Sequence, residues 1–169
     1  MSDTICQKAI AAESIMSIKL LLDEGSLNRS GSGSVWGSIW FETDSGYFPG
    51  RCWDDLAPAV LGEWMKTLLK LAMGKSLNEK VYFMDGPYFI KLLAQGMGYI
   101  DMKFIHSQRD KDVVMFSVKT DIRPCLENAA SVAEQVLSVY RKQNWKDRDG
   151  SAIRRNLTDI RKFLIRNTM

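Results

Sequence analysis

Histidine and cysteine are scarce in this chain, and their scarcity removes whole classes of chemistry. Among 169 residues there is one histidine, His106, and three cysteines, Cys6, Cys52 and Cys125, with no Cys-x-x-Cys pair. A structural zinc site takes about four nitrogen or sulfur ligands at close spacing. No metal is therefore expected. Widely spaced cysteines in odd number read as free thiols of a reducing compartment, not as a disulfide framework. Long apolar runs are missing as well: Leu20-Leu21-Leu22 and Val113-Val114-Met115-Phe116 fall far short of the roughly 20 residues that cross a bilayer. Met1-Ser2-Asp3-Thr4 has no basic stretch leading into an apolar one, as a secretory signal would, so the expected location is cytoplasmic. No Gly-x-Ser-x-Gly frames a serine. Gly31-Ser32-Gly33-Ser34 is followed by neither Gly-Lys-Ser/Thr nor a helix start, so it reads as a linker, not a phosphate loop. No catalytic residue and no cofactor is expected.

What remains is an ordinary globular composition, 46% apolar and 25% charged, in a chain long enough to bury one core without staples. Its net charge of +3 is unevenly spread. Residues 1–140 carry 14 basic and 17 acidic side chains, whereas residues 141–169 carry nine basic and three acidic. The pI thus describes a near-neutral body with a basic end.

Hydrophobic periodicity orders the elements. Residues 1–13 are mixed, a short helix or a loose terminus. Ile15 to Asp23 alternates as a half-buried strand. Residues 24–34, rich in Gly and Ser, read as a flexible loop. Val35 to Thr43 places Val35, Gly37, Ile39 and Phe41 on one face and Trp36, Ser38, Trp40 and Glu42 on the other, so this strand is covered on both sides. Asp44-Ser45-Gly46 is a turn, and Tyr47-Phe48-Pro49-Gly50 leads away from the sheet. After Trp53, Asp54 or Asp55 is placed to cap a helix in which Pro58 is tolerated, Leu61, Trp64, Met65, Leu68, Leu69 and Ala72 form the apolar face, and Gly74 ends it. Lys80 to Met84 and Tyr88 to Ala94 are two antiparallel strands, or one sharply interrupted strand, hinged on Asp85-Gly86-Pro87, where glycine supplies free backbone angles and proline removes a donor. Tyr99 to His106 and Val113 to Thr120 complete a meander. Pro124 then marks the change to helix, with one helix over Leu126 to Gln143, a link over Asn144 to Gly150, and a last helix striped by Ile153, Leu157, Ile160 and Leu164. The expectation is a single α+β domain over 1–169, an antiparallel sheet of about five to six strands packed on a central helix and C-terminal helices.

Few side chains stand out as functional. Asp54 and Asp55 have a local explanation as caps, and Asp85 as a side chain bonded to turn amides. His106 reads as a histidine at a strand edge. A hydrolase built around Asp85 and His106 would need both within hydrogen-bond reach in a pocket. The aromatic set Trp36, Trp40, Tyr47, Phe48 and Trp53 is mostly core by spacing, but Trp and Tyr also anchor interfaces. The basic last helix reads first as a solvated face; following a nucleic-acid backbone is the alternative.

Three pieces carry a resemblance: Tyr47-Phe48-Pro49 with Trp53-Asp54-Asp55, then Leu61-Gly62-Glu63-Trp64, then Phe83-Met84-Asp85-Gly86-Pro87-Tyr88. Over roughly residues 35–95 the chain resembles a family of small bacterial immunity proteins from polymorphic toxin systems. The resemblance does not cover the C-terminal helices or their basic charge. It implies a non-enzymatic inhibitor that binds a cognate toxin domain, with Trp53, Asp85, Gly86, Pro87 and Tyr88 as a fold signature and no catalytic residues. Contact residues for that partner are sought among Trp36, Trp40, Asp44, Tyr47, Trp53, Asp54, Asp55, Asp85 and Tyr88. Against a nuclease toxin an acidic patch imitating its substrate is expected, with Asp44, Asp54, Asp55 and Glu63 as candidates.

Overall fold

A computed structural model describes residues 16–168. The N-terminal reading over 1–13, and Cys6, lie outside them. The expected α+β class is borne out, with the strands divided between two antiparallel sheets.

The first sheet is organised by β3 (Val35–Thr43), which pairs with β1 (Ile18–Leu22), β2 (Asn28–Arg29), β4 (Gly46–Phe48) and β5 (Asp54–Asp55). Strand β3 is central and covered on both faces, as its two apolar faces require: Ile39 and Phe41 are buried on one, Trp40 on the other. Two expectations change here. Tyr47 and Phe48 stay in the sheet as β4, opposite Glu42 and Phe41. The Gly/Ser segment is also tied down. A 3-10 turn over Glu24–Ser26 is capped by the Asp23 carboxylate, and the β2–β3 hairpin closes through Ser30 N–H donating to Ser34 O (2.8 Å) and Arg29 Nε donating to Gly33 O (3.1 Å). Polar Ser and Asp side chains satisfy the turn amides that composition alone leaves open.

The second sheet is the meander β6 (Asn78–Tyr82), β7 (Tyr88–Gly96), β8 (Tyr99–Gln108) and β9 (Lys111–Asp121), in that spatial order. Opposite Phe104 and Ile105 stand Phe116 and Val114, so Met115 is an extra residue in a bulge. The two sheets meet through rings. Phe48 makes edge contacts with Phe83, Tyr88, Phe104 and Phe116 at 5.1–6.1 Å, and Phe41 with Trp64, Phe83 and Phe104 at 4.8–6.2 Å. Removing a buried ring of this kind costs about 3–5 kcal/mol.

Three helices complete the core. The first, α1 (Ala57–Ala72), buries Leu61, Trp64, Met65, Leu68 and Leu69 and stops where Gly74 takes a φ of +66°. The second, α2 (Ile122–Gln143), starts four residues before the expected Leu126. Asp121 caps it by accepting Arg123 N–H, and Pro124 falls in the first turn, where no N–H is needed. The third, α3 (Arg148–Arg166), is capped by Asp147 and includes Gly150, so the link before it is shorter than expected. One buried cluster takes side chains from both sheets and all three helices. Among the described residues, no helix is long and apolar enough to cross a membrane.

Candidate functional site

The sequence-distant Trp53-Asp54-Asp55 and Asp85-Gly86-Pro87 segments converge on one carboxylate. Asp55 is fully buried, and its Oδ1 accepts the Leu56 N–H at 2.7 Å. Both oxygens accept the Met84 and Asp85 amides at 3.1–3.2 Å, and Oδ2 also accepts Trp53 Nε1 at 3.3 Å. Burial pushes this carboxyl above its ordinary range, while the N–H groups of Asp85, Leu56, Trp53 and Met84 favour its charged form. Asp55 is therefore not a helix cap: Leu56 occupies that position with no side-chain cap, and β5 draws Asp54 and Asp55 into the sheet opposite Ser38 and Gly37. A buried acceptor far along the chain outweighs the local explanation because two loop amides would otherwise lack partners.

The roles within the hinge are correspondingly exchanged. The Asp85 backbone amide is held, and its own exposed carboxylate makes no hydrogen bond within the described residues. Gly86 has a φ of +78°, and a Cβ there would lie 3.0 Å from Trp53 Cζ2 and 3.1 Å from Tyr88 Cδ2. Both the backbone angle and the close approach demand glycine. Trp53 meets the Tyr88 ring edge-on at 5.2 Å, and Tyr88 stacks on His106 at 4.7 Å. The result is a surface loop, Met84 to Pro87, fixed from below by a carboxylate and from the side by rings.

Beside the loop lies a recess of about 360 Å³ lined by Lys80, Tyr82, Pro87, Phe89, Ser107 and Asp112, among others. Its floor is fixed by Ser107 N–H donating to Pro87 O at 2.8 Å, and Ser107 Oγ donates to Asp112 Oδ1 at 2.8 Å. A Ser-His-acid triad places the histidine between the serine and the acid. His106, the next residue along the strand, points to the opposite face and is stacked on Tyr88. No hydrogen bond joins Asp85 and His106 among the described residues.

The structure gathers Trp53, Asp55, Asp85 and Tyr88 but scatters the other candidates. Tyr47 is 43% exposed on β4, with the Arg51 guanidinium 5.8 Å from its ring centre. Asp54 is exposed on β5. Asp44 sits at the β3–β4 turn, accepts Ser17 N–H at 3.1 Å, and faces a different groove with Gln95 and Asp101. Trp36 is half-buried near the start of β3, and Trp40 is buried with its Nε1 unpaired among the described residues. The four carboxylates considered for an acidic patch do not form one, since Asp55 is buried, Asp44 lies elsewhere and Glu63 pairs with Lys66. Sequence reasoning missed two exposed side chains, Met84 (47%) in the loop and Tyr82 (51%) beside it. Strand alternation gave a signal for Tyr82, because it lies on the face opposite the buried Val81. No protein-family model, curated protein or solved structure matches the chain.

Proposed function

We propose that this protein is a non-catalytic inhibitor of the immunity type, which binds and neutralises a cognate bacterial toxin domain in a stoichiometric complex. The observation that carries the reading is the braced loop. A buried carboxylate and two aromatic side chains hold Met84, Asp85, Gly86 and Pro87 in one conformation on the surface. A loop fixed before contact loses little conformational freedom on binding, which favours tight association. Met84 and Tyr82 supply apolar contact area, and the unpaired Asp85 carboxylate supplies a charged anchor.

The test starts from the reading frame immediately upstream of the coding sequence. Its C-terminal domain is expected to co-elute with the purified protein at 1:1, and co-expression is expected to restore growth to cells producing that domain. Absence of both complex and rescue removes the proposal.

A second reading rests on a groove of about 400 Å³ between α1 and α3, where Lys66, Lys70, Lys75, Lys162 and Arg166 surround Leu69 and Phe163. That arrangement suits a phosphate backbone. Steeply salt-dependent binding of DNA or RNA, lost when Lys66, Lys75, Lys162 and Arg166 are neutralised, would favour it over toxin inhibition.

A further inference from the structure

The outer face of the four-stranded sheet is ordered in rows that run across the strands. Register places Tyr82, Phe89, Ile105 and Val114 side by side, one from each strand. Phe89 and Ile105 are each only 5% exposed yet belong to no part of the central core cluster, while Tyr82 and Val114 are about half exposed. The bulged Met115, 54% exposed, adjoins this row. The neighbouring row is Lys80, Lys91, Lys103 and Ser117, three ammonium groups on three adjacent strands.

Like charges directly opposite on adjacent strands are destabilising. Lys80 lies 5.3 Å from the centre of the Phe89 ring, which accommodates one of the three. Lys91 and Lys103 are exposed and have no ion-pair partner among the described residues. An apolar strip is thus bordered on one side by the lysine row, with Asp101 and Lys119 in the row beyond it, and on the other by Ser107 and Asp112. The recess beside the braced loop opens onto it through Lys80, Tyr82 and Phe89.

We infer that this sheet face docks an acidic protein surface, with an apolar ridge of the partner seated on the Tyr82–Val114 row and its carboxylates facing Lys91 and Lys103. The inference deepens the inhibitor reading and rests on protein binding being the function. Charge complementarity selects an acidic partner, since each carboxylate opposite the lysine row relieves a repulsion already present. A single-stranded nucleic acid would instead need open ring faces for its bases. Here Tyr82 is stacked against Phe89 at 5.3 Å, Phe89 is buried, and the rest of the row is aliphatic.

The test maps binding on the isotope-labelled full chain by amide chemical-shift changes with three probes. These are an amphipathic Leu/Glu helical peptide, the same peptide with Lys for Glu, and a 12-nucleotide single-stranded RNA of about that length chosen to span the face. Shifts centred on Tyr82, Lys91, Lys103, Ile105 and Val114 are expected with the acidic peptide alone. The double variant Lys91→Gln/Lys103→Gln is expected to weaken that binding at least about tenfold, while its urea midpoint stays the same or rises because the repulsion between these directly opposed ammonium groups is gone. Shifts confined to the α1–α3 groove, no shifts, or preferential RNA binding on the sheet would each overturn the inference. Because the peptide assay does not use the toxin domain, failure of the toxin complex sinks the inhibitor reading separately.

Discussion

Replacing Asp55 by asparagine isolates the brace that links the two halves of the candidate site. The carboxylate accepts four N–H groups, those of Leu56, Met84, Asp85 and Trp53. Asparagine keeps one oxygen and turns an NH2 toward the others, so at least the Trp53 Nε1–H loses its acceptor and the remaining bonds lose their charge. An orphaned buried donor costs about 1–3 kcal/mol, and charge-assisted bonds exceed neutral ones by about 1 kcal/mol each. Relief from burying a charge offsets the lost charge assistance, since burial outweighs those bonds at this carboxyl, leaving an expected net loss of about 1–3 kcal/mol from the orphaned donor. For a chain of this size that is a fall in Tm of about 3–10 °C. Urea unfolding followed by tryptophan fluorescence gives the free energy, and hydrogen exchange at the Met84 and Asp85 amides reports whether the loop is released. A loss below about 0.5 kcal/mol, the scale of an ordinary surface change, with unaltered exchange at both amides would refute the brace. The pH dependence gives a second check. Burial raises the folded carboxyl above its ordinary value of 3.8, so the folded state holds the proton more tightly than the unfolded chain. That contribution is fully present below 3.8 and is lost as pH rises through the raised folded value. Asparagine does not titrate, so the stability gap between the two proteins should narrow as pH rises across this window. A gap that widens instead would mean that the N–H bonds, not burial, govern the carboxyl.

Two further substitutions probe packing and thiol chemistry. Gly150→Ala should destabilise although alanine is the better helix former by up to about 1 kcal/mol, because the new Cβ would lie 2.7 and 2.8 Å from ring carbons of Tyr140, whose hydroxyl is held by Asp147 at 3.0 Å; overpacking of about 1–3 kcal/mol should dominate, and a variant as stable as the parent in urea would contradict this. In a Cys6→Ser background at pH 8, Ellman's reagent should modify exposed Cys52 within minutes and leave Cys125 untouched until unfolding, since burial, reinforced by Asp121, pushes that thiol up to about 12; two fast-reacting thiols would count against it.

Local pattern alone was enough to place most elements. The helical spacing of Leu61, Trp64, Met65 and Leu68, the two apolar faces around Trp40, and the alternation along residues 99–106 are properties of neighbouring residues, and each predicts its element without reference to the rest of the chain. The same holds for Gly74 as a helix stop, since a positive φ is a local requirement. Where the structure departs from expectation, the deciding partner is distant in sequence. Tyr47 and Phe48 remain in the sheet because Glu42 and Phe41 pair with them and because Phe48 finds rings from the second sheet. The Gly/Ser segment is ordered by turn bonds that composition does not encode.

The candidate site divides in the same way. The sequence by itself determined that Asp-Gly-Pro is a hinge where glycine frees the backbone angles, and that Trp53, Asp54 and Asp55 precede a helix. Only the tertiary structure decided which aspartate holds the hinge. Thirty residues separate Asp55 from Asp85, and a buried carboxylate satisfies whichever unpaired amides the fold brings to it. The lysine row is a product of the fold in the same sense. Lys80, Lys91 and Lys103 are isolated charges along the chain, and strand register alone sets them side by side.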